Sequence, residues 1–228
     1  MGQNPHVRRL TPTSTHGSGI QMGRKTNGNN RKKSKNSVEK KKLIIRAATE
    51  VFAGKGFHSC RISDIASRAG VAYGLVYHYF ENKEEILNTI FDKNWGLLNS
   101  LLEDLAGRDI PLRQKMTELA SLILDAYRMV PELIHVMVIE IARSSRQLSR
   151  PRLDQYVRSL EQLGSILAHH QRQGEIRADL DCRLLAYQFF GALELVLTGY
   201  LLHMLPGNDR DFEAIKKQVI DVFLAGVA

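Results

Sequence analysis

Val76 and Phe80 stand four residues apart, the spacing of one helical face, and Gly74, Tyr77 and His78 fall off that face. An outward Gly-x-x-Tyr-His surface has little use in packing. Glycine lets another backbone come close, while phenol and imidazole donate hydrogen bonds to phosphate oxygens or base edges. Bond-breaking chemistry has no comparable footing. The chain contains no Gly-x-Ser-x-Gly elbow, Walker loop, His-Glu-x-x-His or cysteine-rich metal pattern, so no enzyme and no cofactor are expected. His135, His169, His170 and His203 are the histidines that raise the question of metal. His169 and His170 are adjacent and point about 100° apart on a helix, a poor ligand pair, and no metal site is expected.

The elements that must position Gly74, Tyr77 and His78 can be read from the spacing around them. Ile62, Ile65, Ala66 and Ala69 form a short apolar stripe that Gly70 ends, with Ser63 or a residue just before it as the cap. Val71-Ala72 makes a tight turn, and Tyr73–Phe80 is the next short helix, its apolar face turned toward Ile65, Ala69 and Val71. This is the spacing of a helix-turn-helix. Upstream, Ile44, Ile45, Ala48, Val51 and Phe52 line a helix that stops at Gly54 and Gly56. Asn82 caps a longer one, with Glu84 and Glu85 where the helix dipole favours acids. Pro111, Pro131 and Pro151 each fall near a helix start. Leu153, Tyr156, Val157, Leu160, Leu163 and Leu167 make an amphipathic stripe that Gly174 breaks. Cys182–Met204 and Asp211–Val227 complete an all-α reading of about nine helices, with no internal repeat.

Length and charge set the frame. The 228 residues are 43% hydrophobic, enough for a real core, and the two cysteines, Cys60 and Cys182, exclude a disulfide-stapled secreted fold. The formal charge of +8 is unevenly held. Residues 1–42 hold eleven Lys/Arg and one acid, Glu39, leaving 21 bases and 23 acids in the remainder. All net basicity therefore lies in the tail. Residues 1–36, rich in Gly, Ser, Thr, Asn and Pro, are expected to be disordered, with Met22 an alternative start. The opening lacks the apolar core of a signal peptide, and a cytoplasmic protein is expected. Arg31–Lys42 reads equally as a solvated tail or as an arm for DNA phosphates. Phe189–Leu205 is apolar but interrupted by Glu194 and His203. It is expected to be a core or interface helix rather than a membrane span.

The pattern Ile65-Ala66-x-x-Ala69-Gly70-Val71-x-x-Gly74-x-x-Tyr77-x-Tyr79-Phe80-x-x-Lys83-x-x-Ile86-Leu87 resembles the DNA-binding signature of the TetR family of transcriptional regulators. The likeness spans roughly residues 44–87. It implies three segments: a disordered basic tail (1–36), a three-helix helix-turn-helix domain (37–84), and a helical ligand-binding and dimerisation domain (85–228). By this resemblance Ser63 and Asp64 lie near the DNA backbone or groove, and Tyr73 and Gly74 begin the recognition helix. Tyr77 and Tyr79 meet the sugar-phosphate backbone, and Lys83 meets a phosphate. His78 is a candidate for reading sequence. Arg61 departs from the threonine many members carry, though arginine can still grip phosphate.

The resemblance also implies a homodimer on a palindromic operator, built on the last two long helices, with Gly191, Ala192, Leu195, Val196, Tyr200 and Phe223 as interface candidates. A small hydrophobic effector would enter the helical domain and release the DNA, most often making such a protein a repressor. Leu124, Tyr127, Met129, Met137, Phe189 and Phe190 are candidates for its pocket, although such stripes also serve as plain core. Glu140 and Glu194, inside apolar helices, reach solvent, pair with a neighbour or meet a cationic ligand. Arg143, Arg146, Arg150 and Arg152 form a solvated face or receive a phosphate-bearing ligand. The stretches Gly54–Leu87 and onward to Leu195 look similar to TetR-family repressors of fatty-acid degradation, which points to long-chain acyl-CoA. The alternatives are a sensor of drugs or other hydrophobic compounds, and a helical ligand-binding protein that does not bind an operator.

Overall fold

Helix ends in this chain follow its glycines and caps. A computed structural model describes residues 26–143 and 150–228. Arg146 lies outside the described residues, as do the side chains of Glu140, Arg143, Arg150 and Arg152. Among the described residues there are nine helices and no strand, the all-α architecture expected from the spacing.

The first helix, α1 (Thr26–Lys55), begins inside the stretch expected to lack regular structure. Its first turns carry no apolar stripe, which is why periodicity missed them; lysine and arginine are nonetheless good helix formers. The chain groups into two units, residues 1–38 and 39–228. The second holds the packed core. There Ile44, Ala48 and Phe52 of α1 are buried, as are Ile65, Ala66 and Ala69 of α2 (Ile62–Ala69) and Val76 of α3 (Tyr73–Tyr79). Gly70 closes α2 at φ 63°, a left-handed conformation that costs a side-chain-bearing residue energy, and its N–H reaches back to Ser67. Of the two cap alternatives, a residue just before Ser63 is the one found: Arg61 holds that position, and its backbone N–H is taken by the Asp64 carboxylate at 2.9 Å.

Asn82 caps α4 (Lys83–Gly107) as expected, its side chain accepting from the Glu85 N–H at 2.8 Å. This helix continues from the helix-turn-helix into the second half of the chain without a break. The domain boundary expected at residue 84 therefore falls inside its first turn. Pro111 precedes α5 (Leu112–Met129), Pro131 opens α6 (Pro131–Arg143), and Pro151 sits in the first turn of α7 (Arg150–Arg172). α7 packs against both α4 and α8 (Cys182–Leu201), and α5 packs against α9 (Asp209–Val227). A buried hydrogen bond from the Ser159 hydroxyl to Asn99 Oδ1, 2.7 Å, ties α7 to α4.

α8 stops three residues before the expected Met204. After Leu201 the chain turns through His203 at φ 55° and folds back, the Met204 N–H donating to the Gly199 carbonyl at 2.8 Å. A Cβ at Gly199 would stand 2.9 Å from Leu205 Cδ1, so a side chain there would push the Leu205 side chain aside. By length and composition α8 could span a membrane. Here its residues Leu185, Phe189, Leu193 and Leu197 are buried in the core. Cys60 and Cys182 are both free, buried thiols, and burial raises the pKa of each.

Candidate DNA-reading face and effector cavity

α3 presents its polar edge outward. Tyr73, Gly74, Tyr77 and His78 are exposed and Tyr79 is half-buried, while Val76 and Phe80 seal the inner face. Tyr73 and Tyr77, one turn apart, touch edge to face at 5.2 Å, with their hydroxyls 3.1 Å apart. That contact raises the Tyr77 phenol above its ordinary pKa, leaving it a neutral donor at any physiological pH. No atom lies within 4 Å of where a Gly74 Cβ would stand, so the missing side chain leaves the outer surface open for a close backbone approach. His78 stacks its edge on Tyr79 at 5.0 Å.

On α2, Ser63 and Arg61 are exposed. Asp64 is engaged within the protein: one oxygen takes the Arg61 N–H and the other the Lys55 ammonium at 2.8 Å. The carboxyl is accordingly held below its usual pKa, first by Lys55 and then by that backbone bond. Lys83 differs most from its expected place. Its ammonium donates to the carbonyls of Phe57, His58 and Cys60 at 2.9, 3.1 and 3.3 Å and lies 4.7 Å from the Phe57 ring centre. An ammonium has three N–H donors, and all three are spoken for. Lys83 thus closes the α1–α2 loop against the start of α4.

An apolar cavity of about 190 Å³ is walled by residues of α4 through α8. Asn94, Trp95 and Leu98 come from α4, Ile123 and Ala126 from α5, Ile134 and Met137 from α6, Tyr156 from α7, and Phe190, Glu194 and Leu197 from α8. Of the six residues expected there, Met137 and Phe190 line it. Leu124 is buried elsewhere in the core, and Met129 is 80% exposed at the end of α5. Phe189 packs on Phe223 at 4.8 Å. Tyr127 stacks on Tyr200 at 5.3 Å and donates to its carbonyl at 3.2 Å. Trp95 and the α4 contribution went unseen because apolar residues at helical spacing look alike whether they face a neighbour or a void. Among the described residues no cluster of three or more metal-ligating side chains occurs.

Gly191, Ala192 and Leu195, expected at a dimer interface, are exposed on α8, the last at 72%. Val196 and Phe223 are half-buried. Tyr200 is buried within its own chain beside Phe212, and offers a partner no area. Leu184, Tyr187 and Leu202, not singled out from sequence, extend the exposed row.

Residues 44–90 match the model of the bacterial regulatory proteins of the tetR family. Over this segment the chain is similar to the TetR family of regulators. The fatty acid metabolism regulator protein of Bacillus subtilis is 29% identical over 187 residues, covering 81% of this chain and 93% of the relative. The structure of the fatty acid degradation regulator FadR from Bacillus halodurans superposes with a TM-score of 0.73 at 28% identity, covering 82% of this chain and 95% of that one. FadR from Bacillus subtilis, solved in complex with stearoyl-CoA, gives 0.68 at 28% identity and covers 82% and 99%. These likenesses support a regulator of transcription of the TetR type.

Proposed function

We propose that this TetR-family protein is a cytoplasmic repressor whose operator complex is released by long-chain acyl-CoA. The supporting observation is the continuity of α4. The 25-residue helix carries Asn94, Trp95 and Leu98 in the cavity wall, and its first residue, Lys83, clamps the α1–α2 loop of the reading head. A ligand that parts the cavity walls therefore tilts α4 and moves the reading head with it. The ligand releases DNA only by favouring one spacing of the two heads over the other. The likeness to two FadR structures, one holding stearoyl-CoA, favours an acyl chain as occupant.

In this reading α3 enters the major groove with Tyr73 and Gly74 leading and His78 reading base edges. Arg61, Ser63, Tyr77 and Tyr79 hold the phosphate backbone, and the DNA-binding unit ends in the first turn of α4. Gly191, Ala192 and Leu195 supply the closest approach of the two chains. The experiment is selection of bound duplexes from a random pool at about 150 mM salt, near physiological screening, followed by titration of the selected probe with stearoyl-CoA. A palindrome released by micromolar stearoyl-CoA is expected. Retention of the probe at saturating stearoyl-CoA, with release by another hydrophobic compound, would replace the effector and leave the operator reading in place.

A further inference from the structure

The cavity is apolar but for a few groups: Asn94, Glu194, the Tyr156 phenol and the Trp95 indole. Asn94 spends its amide on the Ile90 carbonyl at 2.7 Å. Glu194 has no such outlet. Among the described residues its carboxylate meets no lysine, arginine or histidine and no hydrogen-bond donor within bonding distance; its main-chain carbonyl takes the Thr198 hydroxyl. Its charge is felt by Tyr156, whose phenol is raised above its usual pKa by burial, then by Glu194, then by Tyr187. Tyr156 is itself fixed edge-on against Trp95 at 5.4 Å.

We propose that Glu194 is a specificity residue that makes the cavity accept an uncharged acyl ester and refuse the free fatty acid. The inference rests on the acyl effector reading above and names which form of the acyl chain is sensed. A fatty acid brings a second carboxylate to a mostly apolar wall that, among the described residues, already holds one without a counter-ion. Like charges at such a site do not both stay ionised, so the acid binds only after taking up a proton. A thioester carries no charge at its carbonyl carbon, and its oxygen accepts a hydrogen bond from the Tyr156 hydroxyl. Glu194 therefore acts by exclusion, which prevents the regulator from responding to acid that has not been activated.

Calorimetric titration of full-length protein, wild type and Glu194→Gln, with stearate, stearoyl-CoA and dodecyltrimethylammonium tests this. In the variant stearate binds about tenfold tighter, the effect of one pKa unit of repulsion removed. Stearoyl-CoA changes by less than about twofold, far below one decade of affinity. Glu194→Asp, which keeps the charge and alters the shape, continues to refuse stearate; a gain there would assign the effect to shape and overturn the inference. Equal stearate affinity in wild type and Glu194→Gln, with stearoyl-CoA bound by both, also overturns it while the effector reading stands. Failure of wild type to bind stearoyl-CoA overturns the effector reading. Binding of the quaternary ammonium by wild type, lost in Glu194→Gln, makes Glu194 a cation's partner and overturns both.

Discussion

Lys83 shows how far a motif position and its physical role can separate. Three carbonyls of the α1–α2 loop use its three N–H donors, and a phosphate reaches it only if one of them lets go. Lys83→Met is expected to lower unfolding free energy by about 2 kcal/mol or more, since it strands carbonyls that shared a charged donor. Thermal melts together with the salt slope of operator binding check this. A variant of unchanged stability whose slope falls by about one phosphate contact would instead put Lys83 on the DNA. Asp64 is likewise committed, between Lys55 and the Arg61 N–H. The sequence located both residues correctly along the chain, because fixed spacing around Gly70 and Gly74 sets the register of the two short helices. It could not say what their side chains touch. The loop of Phe57 to Cys60 comes near Lys83 only in the folded chain, across more than twenty residues.

Among the elements, the connector after α7 is the clearest tie between distant segments. Gly174 turns the chain at φ 82°, and Glu175 then bonds to the His170 ring at 2.8 Å and to the Leu112 N–H, at the start of α5, at 3.3 Å. These bonds, His170 first, hold the Glu175 carboxyl below its ordinary value against the opposing effect of burial. A depressed carboxylate contributes stability that is complete above its unfolded value, about 4.3, and lost as pH falls through the folded one. Melts of Glu175→Gln between pH 3 and 7 should therefore show a smaller acid-induced drop than wild type. Equal drops in both would mean that other carboxylates carry the acid limb. The helices themselves were legible from sequence, since apolar period, proline and glycine agree at nearly every boundary. The cavity was not. Its walls are chosen by which helices meet, and Trp95 and Phe190 become neighbours of one space only when α4 and α8 are brought together around α7.

At the scale of the whole molecule, charge and apolar surface are divided between tasks. The reading head is close to neutral, and the net positive charge is concentrated in residues 1–42. Replacing Arg31, Lys32, Lys33 and Lys35 with glutamine should reduce the dependence of operator affinity on salt while leaving the selected sequence unchanged. An unaltered slope would show that these bases make no phosphate contacts. The other division lies on α8, where the core takes one side and Leu184, Tyr187, Gly191 and Leu195 stand exposed along another. A helix apolar on nearly all sides has two neighbours to satisfy, and this double duty gives α8 the hydropathy of a membrane span.

In the dimer proposed above, that exposed row also sets how the regulator responds to its own abundance. Only paired chains present two reading heads, so below the pairing constant the occupied fraction of an operator grows with the square of the number of chains. Halving the copies at cell division would then quarter the DNA-competent pool. The same stripe of leucine, tyrosine and glycine, proposed above to close the dimer, would thus give gene dosage a sharper voice than the effector's affinity alone would allow.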